Sequence, residues 1–124
     1  MMQFRTVAPL LIAWGLTIGF HVALGWAWTV AAGVLMGLWG PRHGWRLGMG
    51  GGLLGWGTLV GYTAMVAPAS LQILLDTLGA LGGNIPGEVV VGASVVLGGG
   101  LGAVGGAIGT ACRSVWASRY SATR

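Results

Sequence analysis

Gly98-Gly-Gly-Leu-Gly-Ala-Val-Gly-Gly106, or GGGLGAVGG, follows a valine-rich apolar run near the end of the chain. Inside it, Gly100-Leu-Gly102-Ala-Val-Gly105 matches G-x-G-x-x-G. The same letters have two physical readings. In a dinucleotide-binding unit they form a turn from strand to helix, with a pyrophosphate held at the helix N-terminus. In a membrane helix they expose bare backbone every fourth residue, so that a second helix packs closely. The surroundings decide between them. The nucleotide fingerprint requires an acidic residue about 20 positions further on. After Gly105 only 19 residues remain, and none is Asp or Glu. The stretch reads as a helix-contact ridge.

Working outward, the composition agrees. Of 124 residues, 55% are hydrophobic and 6% charged, and the mean hydropathy is +0.82. A soluble domain carries about a quarter charged residues, so this chain cannot cover a water-facing surface. The expected class is an all-α integral membrane protein, a single domain over residues 1–124, in the plasma membrane. Six arginines give a net charge of +4, but they stand apart and form no stripe for nucleic acid. The absence of lysine excludes a P-loop. Cys112 is the only cysteine, so no internal disulfide forms, and it reads as a small packing residue.

The spans follow from length. From Val7 to Trp39 the only ionisable side chain is His21. One helix over these residues would be about 50 Å long, against a hydrocarbon core of about 30 Å. Two spans with a turn at His21–Trp26 fit better, with Gly25 bending the chain and Trp26 and Trp28 at the interface. Arg5 before this apolar run resembles a signal peptide, but no small-x-small cleavage site follows, so the first span is expected to be retained. The stretch Trp39-Gly-Pro-Arg-His-Gly-Trp-Arg46 reads as a loop, with Arg42 and Arg46 in water and Trp39 and Trp45 as anchors. Transmembrane helices are thus expected at about 5–21, 25–39, 47–66 and 88–112. A short interfacial helix is expected at about 69–81, with Leu71, Leu74, Leu75 and Leu78 on one face. A short basic cytoplasmic tail occupies 113–124. In this layout Arg5, Arg42, Arg46, Arg113 and the tail arginines share one side, while Asp76 and Glu88 share the other. Both termini are therefore expected in the cytoplasm. A three-span layout would separate Arg5 from Arg42.

Twenty-six glycines is about three times ordinary usage. Pairs spaced by four recur and are expected to pack helices: Gly15 with Gly19, Gly33 with Gly37, Gly48 with Gly52, Gly51 with Gly55, and Gly57 with Gly61. The last helix carries Gly98, Gly102 and Gly106 on one ridge, with Gly105 and Gly109 beside it, which suits a central position or an oligomer interface. The alternative use of such glycines is a flexible pore lining.

Reactive chemistry is sparse. Asp76 and Glu88 lie twelve apart and read as surface residues rather than a catalytic pair. No His/Cys/Asp/Glu run has metal-ligand spacing, and neither catalytic nor metal residues are expected. His21 reads as an interfacial histidine, with ligation of a haem or chlorophyll-type group as the alternative. Ionisable groups near mid-membrane, the mark of coupled carriers, are lacking. Hydroxyls inside the spans include Thr17, Thr29, Thr58, Thr63, Ser94 and Thr110. Small multidrug exporters share the size and span number, but their membrane glutamate in helix one has no counterpart. Gly105-Gly-Ala-Ile-Gly-Thr-Ala-Cys-Arg113 resembles a glycine-rich, arginine-terminated stretch in the first helix of small fluoride channels. The resemblance covers nine residues at the opposite end of the chain. That family's pore asparagine and its Thr/Ser-rich break are missing, so no functional residue carries over.

The expected function is a non-enzymatic accessory, scaffolding or self-associating membrane subunit without cofactor. Its expected partners are the lipid bilayer and either further copies or a larger membrane complex. A small passive channel formed by oligomerisation, including one of the holin kind, is the alternative. A pigment subunit using His21 is the weaker one.

Overall fold

The computed structural model describes residues 4–40 and 43–122. The chain forms α1 (Phe4–Leu24), a 3-10 turn (Trp26–Trp28), α2 (Thr29–Trp39), α3 (Gly44–Val66), α4 (Pro68–Leu81) and α5 (Gly87–Ala122), and the described residues contain no strand. By length and apolarity alone, two helices qualify as membrane spans, within Val7–Leu24 and Gly87–Arg119. The expected count of four is not met by this criterion. The turn-plus-helix Trp26–Trp39 is too short, and α3 qualifies only together with α4, to which it is bent by 119°. Glycine explains the low apolarity of α3, because its bare backbone adds no hydrocarbon.

The helix limits depart from the sequence expectation in three places. Helix α1 continues past His21 to Leu24, and Gly25, at φ +96°, ends it by donating its N–H to the His21 carbonyl at 3.0 Å. Helix α3 begins at Gly44 rather than 47, so Trp45 and Arg46 sit in its first turn instead of in a loop. Gly44 is packed tightly between α2 and α5, which favours helical order there. Helix α5 does not stop at Cys112 but runs to Ala122, so most of the expected tail is helical. No Gly or Pro lies between Arg113 and Ala122 to break it.

The helices alternate in direction. Along α3 the positions 44, 48 and 52 face 106, 102 and 98 of α5, so this pair is antiparallel. Gly33 and Gly37 of α2 face 102–106 and 106–110 of α5, so that pair is parallel. Helix α5 packs most extensively on α3 and next on α2, while α1 covers α3 and α2 without reaching α5. The interior holds little bulk. Among the described residues, Ala13, Ala32, Met36 and Leu47 are the buried hydrophobic ones, and no side chain larger than that of Thr29 is fully enclosed. Where side chains are this small, cohesion comes from direct backbone contact. At the far end of α3, Pro68 opens α4 as an N-terminal proline and the chain turns across the bundle. Leu75 of α4 rests on Gly87, and Gly83 and Asn84, at φ +91° and +64°, return the chain to α5.

Candidate functional site: a glycine junction between two polar ends

The glycine ridge of α5 is in contact along its length. A Cβ on Gly98 would strike the Trp56 ring, one on Gly102 the Gly48 carbonyl, and one on Gly106 the Gly44 carbonyl, each closer than 3.0 Å. The reverse holds for Gly48 and Gly52, whose Cβ atoms would meet the carbonyls of Gly102 and Gly98. The adjoining ridge serves α2: Gly105 and Gly109 meet the carbonyls of Val30 and Val34, and Gly33 and Gly37 meet those of Gly102 and Gly106. All three helices converge at Gly44, where a Cβ would meet Gly37 Cα and Thr110 Oγ1 at 2.6 Å. A glycine hydrogen points where each Cβ would stand, so the junction is lined by Cα–H groups aimed at carbonyl oxygens. Such contacts contribute about 0.5–1 kcal/mol each.

Helix α3 uses a second face toward α1, with Gly51 against Ala13 and Gly55 against Thr17. Here α1 supplies the larger residues and α3 the glycines. This corrects the packing role expected of four glycines. Gly15 and Gly19 are exposed on α1, and a Cβ on Gly15 or on Gly19 would meet nothing within 4 Å. Gly57 is exposed and Gly61 half-buried on α3, and a Cβ on Gly57 or on Gly61 would likewise meet nothing within 4 Å. None of Gly15, Gly19, Gly57 and Gly61 is therefore a helix contact within the chain. The reason is helical phase. At 3.6 residues per turn, about 100° per residue, a position two along stands on the opposite side of the helix. Gly15 follows Ala13 by two, Gly19 follows Thr17 by two, and Gly57 follows Gly55 by two, so all three turn away from the α1–α3 seam. Gly61 lies one turn beyond Gly57 on that same outer side. Periodicity marks which residues share a face and leaves open which face meets a neighbour.

The hydroxyls of these helices are engaged locally. Thr17, Thr58, Thr63, Ser94 and Thr110 each donate to the carbonyl four residues before them, at 2.7–2.9 Å. Thr29 accepts from Trp56 Nε1 at 3.2 Å, and Thr58 accepts from Trp14 Nε1 at 3.0 Å. These two indole bonds tie α2 and α1 to α3. Sequence reading missed both, because the partners lie 27 and 44 residues apart.

At the end of α1, His21 packs edge-on against Trp56, with ring centroids 5.2 Å apart. Its Nδ1 is buried and has no hydrogen-bond partner. Trp28 stacks on Phe20 at 6.3 Å, and Trp26 and Trp28 stand exposed in the turn. Beyond the far end of α3, both acidic residues enter one cleft. Asp76 and Glu88, with Gln72, line a hollow of about 270 Å³ between α4 and α5. Both are exposed, as expected of surface residues, and the α4–α5 turn brings these positions, twelve apart in sequence, to one cleft. Among the described residues no three of His, Cys, Asp and Glu come together as a metal site.

The opposite end is basic. Arg113 donates to the Gly40 carbonyl, fixing the end of α2 to α5, and the Arg46 guanidinium lies 5.3 Å from the centre of the Trp45 ring. The side chain of Arg5 and the whole of Arg42 lie outside the described residues. Between α2 and the extension of α5 runs a groove of about 780 Å³. Leu38 and Trp39 form one wall; Cys112, Val115, Trp116 and Arg119 form the other, with Arg113 beside them. Its aromatic rims are open, with Trp39 84% and Trp116 72% exposed. Compared with known proteins, the chain matches no family model, no curated protein and no solved structure.

Proposed function

We propose that this chain is a non-enzymatic subunit of the plasma membrane, a four-span helical bundle that acts by associating with other membrane helices. The spans are α1, α2 with its preceding turn, α3 and α5, and α4 lies along the surface. Both termini are cytoplasmic, which places the arginines inside and Asp76 and Glu88 outside. Partners are further copies of the chain or a larger membrane complex.

One observation carries this reading. The glycine faces that would line a path between α3 and α5 are closed on each other at backbone contact, and the hydroxyls nearby bond within the bundle. A chain packed in this way has little room to move a solute through itself. The outward-facing Gly15 and Gly19 offer α1 as a surface where another helix can approach. A channel would have to form between copies.

The test is reconstitution in liposomes together with cross-linking in native membranes. The reading expects no flux of ions or small solutes. It also expects recovery in an oligomer or complex that the double variant Gly15→Leu with Gly19→Leu weakens. Protein-dependent flux would overturn it in favour of the channel.

A further inference from the structure

We propose that the groove between the end of α2 and the extension of α5 binds one anionic glycerophospholipid, with the phosphate at Arg113 and Arg119 and an acyl chain along the apolar wall. The proposal rests on α5 crossing the bilayer and does not need the chain to be an accessory subunit.

Three features of the groove specify this occupant. The first is charge: its lining contains two arginines and no acidic residue, because both carboxylates line the cleft at the other end of α5. The second is the wall. Leu38, Val115 and the two tryptophans give hydrocarbon contact beside the guanidinium groups, which suits an amphipathic ligand better than a soluble anion. The third is depth. Arg113 ends the uncharged stretch of α5, so the groove starts where a leaflet passes from hydrocarbon to headgroup, with Trp39 and Trp116 at the level aromatic side chains prefer. Basic pockets at such positions bind acidic headgroups.

The geometry adds preorganisation. Arg113 spends one N–H on the Gly40 carbonyl, which holds the guanidinium at the groove, and a guanidinium has five such donors. A volume of about 780 Å³ lies within the range of small-molecule sites, about 300–1,000 Å³, and accommodates a headgroup with part of a chain.

The test uses full-length protein in a neutral detergent, offered phosphatidylglycerol or phosphatidylcholine of identical acyl chains and examined by native mass spectrometry. The expected result is one phosphatidylglycerol retained per chain, at least about fivefold more tightly than phosphatidylcholine. Arg119→Gln lowers that retention on the order of fivefold, and Arg113→Gln combined with Arg119→Gln lowers it further, following the worth of a basic residue at an acidic leaflet. Cys112, exposed and the only cysteine, supplies a second readout in the unaltered chain: phosphatidylglycerol slows its alkylation and phosphatidylcholine does not. Equal retention of the two lipids, retention unchanged by Arg119→Gln, or alkylation indifferent to phosphatidylglycerol would overturn the proposal. Extraction of the chain from its membrane by alkaline carbonate would instead overturn the membrane-spanning reading, which separates the two failures.

Discussion

At the scale of single residues, one letter has three meanings in this chain. Glycine at 48, 52, 102 and 106 is required by close approach, at 25 by a positive φ, and at 15, 19, 57 and 61 by nothing inside the bundle. The substitutions should separate accordingly. Gly52→Ala forces a Cβ into the Gly98 backbone and is expected to cost about 1–3 kcal/mol, the usual range for overpacking. Gly57→Ala and Gly61→Ala meet open space, and each is expected to leave stability unchanged or raise it by up to about 1 kcal/mol, the gain in helix propensity. Denaturant or thermal unfolding in detergent measures all three. Trp56→Phe removes the indole N–H bonded to Thr29 together with one ring of the indole, and the share of its cost that belongs to the bond is expected to be on the order of 0.6 kcal/mol, the average for such bonds between membrane helices. A Thr29→Val background should abolish that increment, because the partner is already gone. Spacing by four makes the ridge at Gly98, Gly102 and Gly106 legible in sequence, since the repeat is local. The choice of neighbour is not legible, and Gly15 and Gly19 show why. They have the same spacing, yet Ala13 and Thr17, on the opposite side of α1, take the contact.

At the scale of elements, breaks were easier to read than lengths. Gly25 and Pro68 interrupt helices by backbone chemistry confined to one residue, and both breaks fall where they stand. Gly25→Ala is expected to destabilise the α1–α2 turn by about 1–3 kcal/mol, because φ +96° with an extended ψ is a conformation essentially only glycine adopts, seen as increased protease cleavage there and a lower unfolding midpoint. Element ends set by tertiary contact were harder. Helix α3 starts three residues before its expected limit because Gly44 fits against Gly37 and Thr110, partners that no local pattern names. The α4–α5 turn likewise joins Asp76 to Glu88 in one cleft, a juxtaposition that spacing along the chain does not contain.

At the scale of the whole molecule, the described residues separate charge along the bundle axis, with Arg46, Arg113 and Arg119 at one end and Asp76 and Glu88 at the other. The proposed four-span arrangement expects Asn84→Cys and Ser118→Cys, each in a Cys112→Ser background, to label from opposite sides of the membrane with an impermeant maleimide. The membrane character was readable from composition, because a chain 6% charged has only lipid as a fitting solvent, whereas of the four expected spans two helices qualify by length and apolarity. The groove at the basic end was not readable, because its two walls come from helices far apart in the chain. What holds α5 in place is backbone contact along two adjoining glycine ridges, and GGGLGAVGG contains its own control. Gly100 and Gly102 lie two residues apart on α5, but a Cβ on Gly100 meets nothing within 4 Å while one on Gly102 strikes the Gly48 backbone. The most direct measurement is thermal unfolding of Gly100→Leu and Gly102→Leu side by side in one detergent. Gly100→Leu is expected to unfold like the unaltered chain, with Gly102→Leu losing several degrees or failing to assemble; two variants that behave alike would contradict the ridge.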